Sequence, residues 1–273
     1  MDNEEIKKLV ELSKKGEDAA LKKLVSVLQD QIYGIALRFL WNEEDATEAT
    51  QEILIKVITH LSDFRGESMF RTWCFRIATN HLLDVKKSAV ERLRLTQVSF
   101  EEDLHDGLAE PHQDLKQDPQ YPAMLEEVRV GCTTAMLNCL DRGLRIAYII
   151  GEILEIESSE ASEILDITPV AFRKRLQRAR KSIESFTKRV CGIIDSNNQC
   201  RCQLRLCSAL DSERVKKDHF VFTKSGMDHI RIVEKIQELD TIRRVAASYR
   251  AGSALESPTH FTQKLRLIID KLD

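Results

Sequence analysis

One stretch of this sequence, FRGESMFRTWCFRIATNHLLD from Phe64 to Asp84, holds four aromatic residues and three arginines beside one another, with Gly66 at a turn. A helix that only fills a core has no need of so much basic and aromatic surface, so the segment is a candidate contact site. A second stretch, CGIIDSNNQCRCQLRLC, sets cysteines in the pattern C-x8-C-x-C-x4-C. Cys191, Cys200, Cys202 and Cys207 supply four thiolates, the set that one tetrahedral zinc ion takes, with His219 a weaker candidate for the fourth place. The same thiols suit a redox-sensing cluster or a copper- or cadmium-responsive site, or are inert. Arg201 and Arg205 stand near enough in sequence to lower the thiol pKa. Cys74, Cys132 and Cys139 fall within helical patterns and read as small buried hydrophobes. Seven cysteines, an odd number, argue against a disulfide framework in a cytosolic chain.

A third stretch, SSEASEILDITPVAFRKRLQRARKSIESF, has the spacing of a helix-turn-helix. Ser158 or Ser159 caps a short helix, Asp166 to Thr168 form a tight turn, and Thr168 caps a second helix with Pro169 at its first position. Ile167, Phe172, Leu176, Ala179 and Ile183 form the buried stripe of that second helix. Its other faces are basic. A helix-turn-helix lays its second helix in the DNA major groove, which places Thr168, Val170, Arg173, Lys174 and Gln177 on the reading surface. Arg175, Arg178 and Lys181 suit phosphates. A fourth feature is acidic: Asp45, Glu48 and Glu52 fall at i, i+3 and i+7, with Gln51 beside them, so they line one helix face. Such a stripe suits a basic protein partner, or is a solvated face.

The elements that must hold these residues are helical. The 273 residues include only 10 glycines and 5 prolines among 42% hydrophobic and 31% charged residues, a composition that favours helices over sheets. Helical spacing predicts two helices joined near Gly16 over Glu4 to Asp30, continuing to Leu40. Asn42 caps a helix to about Leu61, and another runs from about Met69 to Lys87, in which Phe70, Trp73, Ile77 and Val85 read as core. Ser99 to Glu127 is rich in acid, carries Pro111, Pro119 and Pro122, and reads as an extended or disordered linker. Helix resumes from Leu125 to Phe186, and a small helical tail follows the cysteines, with apolar spacing at Ile230, Val233, Ile236, Leu239, Ile242, Val245 and Tyr249. Net charge is −3, from 41 basic and 44 acidic residues, with strong local asymmetry. No apolar run suits a bilayer, and the charged N-terminus is not a signal peptide. The expectation is a cytoplasmic protein without membrane insertion. Fingerprints of hydrolases, zinc peptidases, nucleotide-binding loops and dinucleotide-binding enzymes are lacking, so no enzyme is expected.

DATEATQEILIKV, then FRGESMFRTWCFRIATNHLLDVKK, then the distant helix-turn-helix, together resemble an extracytoplasmic-function (ECF) sigma factor of the sigma-70 family, over about residues 10–88 and 128–187. That resemblance implies an all-α fold with region 2 at 1–90, an acidic linker at 91–126, a region 4 helix-turn-helix at 127–189 and a cysteine-containing helical extension at 190–273. It implies docking of Asp45, Glu48, Gln51 and Glu52 on the largest subunit of bacterial core RNA polymerase, although Thr47 and Ala49 depart from the usual motif. It implies that the Phe64–Ser68 loop, with Arg65, receives a flipped base of the minus-ten element. Thr72, Arg76, Thr79, Asn80, Leu83 and Lys87 then meet the melted non-template strand, while the helix-turn-helix reads duplex at minus 35. Unstacked bases need apolar or aromatic pockets and their phosphates need cations, which answers why the opening stretch is built as it is. The linker either threads a polymerase channel as a polyphosphate mimic or is a soluble spacer. The extension is expected to hold the modules in a less active arrangement, in place of or beside an anti-sigma factor. The competing reading is a metal- or redox-sensing DNA-binding regulator that acts without polymerase.

Overall fold

The computed structural model describes residues 3–85, 95–223, 228–251 and 255–258. They form thirteen helices, with no strand among the described residues. The chain divides into two compact units, one of Met1–Ala89, Ile156–Arg173 and Ala254–Asp273, the other of Val90–Glu155 and Lys174–Ser253.

In the first unit, α1 (Asn3–Lys14) ends before Gly16, whose φ of +83° is a left-handed conformation that glycine adopts without strain. Helix α2 (Asp18–Leu40) stops at Trp41, in the left-handed region at φ 51°. Asn42 then caps α3 (Glu43–Thr59) by accepting the Asp45 amide at 2.8 Å, with Glu43, Glu44 and Asp45 in the first turn, where the helix dipole favours acid. A short 3₁₀ turn (Leu61–Asp63) and a loop lead into α4 (Phe70–Asp84). Ile32, Ile35, Leu37 and Phe39 of α2, Ile53 and Leu54 of α3, and Cys74, Ala78 and Leu82 of α4 are wholly buried. Ser257 bonds Asp30 of α2 through its amide at 2.9 Å and its hydroxyl at 2.7 Å, beside the buried Leu255.

The second unit corrects the expectation of an extended linker. The acidic segment is helical over α5 (Gln97–Asp106), α6 (Gln113–Lys116) and the start of α7 (Tyr121–Asn138). Thr96 and Ser99 cap α5 reciprocally, and Phe100 and Leu104, one turn apart, are buried, with Phe100 stacked 6.0 Å from Phe186. The acids that suggested disorder have cationic partners: Glu101 takes a bidentate pair from Arg189 at 2.8–3.0 Å, and Asp103 pairs with Arg205 at 2.7 Å and Arg214 at 2.9 Å. Helix α8 (Arg142–Tyr148) widens into a π turn at Ile149–Ile153.

Helix α9 (Ser158–Ile164) belongs to the first unit, and α10 (Pro169–Val190) begins there and continues in the second. Helix α11 (Cys202–Asp211) packs Leu206 and Ala209 against Met124, Leu125 and Val128 of α7. Helices α12 (His229–Gln237) and α13 (Thr241–Arg250) complete the second unit. In the tail stripe Ile236, Val245 and Tyr249 are buried, whereas Ile230 is 60% exposed, so it points away from the core it was expected to join. The tail is fastened by buried polar groups. Glu127 accepts the amides of Val221 and Phe222 and the Thr223 hydroxyl at 2.7–3.1 Å. Glu126 holds Arg129 through two bonds and His229 at 2.9 Å, and Arg129 donates to the carbonyls of Ser248 and Ala251. Burial opposes ionisation of Glu126, but the bonds from Arg129 and His229 outweigh it and hold its pKa down to about 2.

Candidate nucleic-acid interface

On α3, Glu48 and Glu52 are exposed and Asp45 and Gln51 half-buried, while Ala46, Ala49, Thr50 and Ile53 on the opposite side are buried. The helix therefore presents the predicted stripe. Glu52 lies 3.5 Å from His81, whose pKa is lowered by burial and by Lys56 at 2.8 Å, so this contact is not a strong ion pair at neutral pH.

The loop ahead of α4 turns at Gly66, with φ of +76°. Arg65 is exposed and Ser68 half-buried. Phe64, Phe70 and Trp73 form one aromatic cluster with centroids 5.2–5.7 Å apart, so Phe64, only 8% exposed, is a wall of the loop and not a free stacking platform. Lys14 of α1 donates to the Phe64 carbonyl at 2.6 Å and sits 5.7 Å from its ring. Sequence reasoning missed Lys14, because nothing local to α1 says that it reaches residue 64. The loop, α4 and the turn after α9 border an open groove of about 790 Å³.

On α4, Asn80 is exposed and Leu83 half-buried, and Lys87 lies outside the described residues. Thr72 and Thr79, expected at the surface that meets DNA, are 3% and 0% exposed. Helix α9 covers them: Thr72 donates to Glu160 at 2.9 Å and Thr79 to the Ile164 carbonyl at 3.2 Å. Arg71 also reaches Glu160, at 3.2 Å, and Arg76 pairs with Asp166 at 2.8 Å.

The helix-turn-helix forms as its sequence predicts from Thr168 onward. Thr168 accepts the Ala171 amide at 3.2 Å, and Pro169 opens α10. Phe172, Leu176, Ala179 and Ile183 are buried, and Ile167 half-buried. Thr168, Val170, Arg173, Lys174, Gln177 and Arg178 are exposed and Arg175 half-buried, so the proposed reading face is open within the helix itself. Neither serine caps α9; Glu157 stands at its N-cap without a side-chain bond.

The cysteines are regrouped. Cys191, Cys200 and Cys202 line a cavity of about 30 Å³ together with Cys132 of α7, and Cys207 is not part of that lining. Cys132 had read as a small hydrophobe; the fold brings it from 59 positions before Cys191 to the same cavity. Cys191 and Cys200 run side by side in a bridge where the Gly192 amide donates to the Cys200 carbonyl at 3.0 Å. A side chain at Gly192 would collide with that carbonyl and with Arg201. Burial pushes the thiols up, Cys132 to about 11 and Cys200 to about 12, with Cys191 and Cys202 also raised. The expected lowering by arginine does not prevail. Arg201 gives its guanidinium to the carbonyls of Ser196, Asn198 and Cys200, and Arg205 to Asp103. Among the described residues no three His, Cys, Asp or Glu side chains are already gathered around one ion position.

Residues 24–92 match the family described as Sigma-70 region 2. The RNA polymerase sigma-H factor of Pseudomonas aeruginosa is 30% identical over 183 residues, which cover 66% of this chain and 93% of that protein. The ECF RNA polymerase sigma-E factor of Haemophilus influenzae is 27% identical over 177 residues, 65% of this chain and 92% of the relative. The ECF RNA polymerase sigma factor SigW of Bacillus subtilis is 27% identical over 181 residues, 65% of this chain and 94% of the relative.

Proposed function

Because this chain belongs to the extracytoplasmic-function group of the sigma-70 family and is thus a transcription-initiation factor, we propose that it divides promoter recognition between two surfaces. Its α3 stripe of Asp45, Glu48, Gln51 and Glu52 docks on core RNA polymerase. The Phe64–Ser68 loop with Arg65, Arg76 and Asn80 captures the melted minus-ten strand, and α10 reads minus-35 duplex through Thr168, Val170, Arg173, Lys174 and Gln177. The protein performs no bond chemistry; the polymerase does. Its place of action is the cytoplasm, and among the described residues no helix is long and apolar enough to cross a membrane. A regulator working without polymerase has no use for an acidic stripe on α3 whose Glu48 and Glu52 are exposed, and that stripe is the observation that carries the reading. Reconstituted transcription with core polymerase tests it. Asn80→Ala is expected to impair strand opening, and Arg173→Ala to weaken upstream duplex binding by ~1–3 kcal/mol. Identical changes in the footprints of both variants would contradict the division.

The extension is the regulatory part of this proposal. Cys132, Cys191, Cys200 and Cys202 bring soft donors of the type a thiophilic cation such as zinc or cadmium takes to the lining of one cavity, and binding would have to draw them together, since no three are gathered around one position. A bound cation would supply the charge that stabilises the thiolates, overcoming their raised pKa with release of protons. Such binding ties α7 to the Cys191–Cys202 segment. Titrating the purified protein with cadmium is expected to give a thiolate charge-transfer band that Cys207→Ser retains and Cys132→Ser loses or weakens. Equal behaviour of the two variants would remove Cys132 from the site.

A further inference from the structure

The face of α4 assigned to the melted strand has an occupant inside the same compact unit. Thr72, Arg76 and Thr79 share that face, and every one of them is bonded to α9 or to the turn after it. The partners are what a nucleic-acid strand would offer. Glu160 sets a carboxylate on Arg71 and Thr72, Asp166 sets a second on Arg76, and the Ile164 carbonyl accepts from Thr79. Anions on arginine and acceptors on threonine stand in for phosphate oxygens. Asp166 adopts the left-handed region at φ 51°, in a turn type that often uses glycine. The residue there instead carries a carboxylate, aimed at Arg76.

We propose that α9 is a built-in competitor of the promoter strand, covering the strand-binding face of α4 through Glu160, Asp166 and the Ile164 carbonyl until it is displaced. The proposal rests on the functional reading above, since it regulates the face that reading assigns to DNA. Helix α9 leads the helix-turn-helix, so the displacement that bares α4 also frees the start of α10. In the covered state the apparent affinity for single strands falls by the fraction of molecules that are open.

The test uses the full-length protein and a fluorescein-labelled random-sequence single-stranded DNA pool, read by anisotropy at fixed salt. The Glu160→Gln/Asp166→Asn double variant is compared with Glu163→Gln. The side chain of Glu163 is exposed on the same helix and makes no hydrogen bond or ion pair among the described residues. Each single change alters charge equally, so two Glu163-like steps of general electrostatics set the baseline. The double variant is expected to bind about tenfold more tightly than wild type, well beyond twice the logarithmic gain of Glu163→Gln. Amide exchange over residues 158–164 is expected to quicken in the double variant alone. Affinity and exchange that match the Glu163→Gln baseline overturn the masking while leaving the sigma-factor reading intact. Failure of every variant to bind strand, even with core polymerase present, overturns that reading and the mask with it.

Discussion

Changing Glu48 and Glu52 together to lysine is expected to weaken association with core RNA polymerase by about 100-fold, on the order of 3 kcal/mol, because under the proposed docking like charges would then face a basic partner. Both side chains are exposed and lie beyond the first turn of α3, away from the helix cap, and the one contact with a buried group, Glu52 at 3.5 Å from His81, is not a strong ion pair. The Asn42 cap and the buried Ala46, Ala49 and Ile53 remain in place. The variant should therefore keep its helical content and its binding of duplex minus-35 DNA while losing co-elution with core enzyme. Unchanged co-elution at physiological salt would place the docking surface elsewhere on the chain. The effect should shrink as salt rises, since exposed charges are screened over about 8 Å at 0.15 M.

Substituting Arg129→Met is expected to destabilise the second unit by about 3–5 kcal/mol, because Glu126, with no exposed surface, loses the partner of its two charged bonds. The carbonyls of Ser248 and Ala251 lose their donor in the same step. The double variant Glu126→Gln/Arg129→Met should recover much of that loss, since a buried carboxylate left with His229 alone costs more than the pair contributes. Thermal unfolding of the three proteins decides the matter; a single variant as stable as wild type would show that the pair does not fasten the tail. The acid limb gives an independent check. The pKa of Glu126 is depressed from an ordinary 4.5 to about 2, so its contribution is present above pH 4.5 and is lost as pH falls towards 2. The gap between wild type and double variant should close over that window.

Much of this could be read in the residues because the signals are local. Asn42 with three acids behind it starts a helix by capping and dipole, and it does so in the structure. Thr168 and Pro169 begin α10 for similar reasons. The acidic segment was misjudged because composition counts charge without counting partners. Asp103 is compatible with order once Arg205 and Arg214 stand beside it, and both come more than a hundred residues later. Cys132 packs as the small hydrophobe its helical pattern implies, against the Met124, Leu125 and Val128 cluster, but that pattern carries no sign that the fold also sets it on a cavity with three other cysteines.

Periodicity, caps and turn residues determined the helices of this protein and which residues share a face, because those depend on neighbours within a turn or two. Only the tertiary structure decided which faces are covered. Thr72 and Thr79 lie on the face of α4 that the family resemblance assigns to the strand, yet α9, some 85 residues further on, takes their hydrogen bonds. Burial and pairing are set by contacts across the fold, and spacing along the chain carries no record of them.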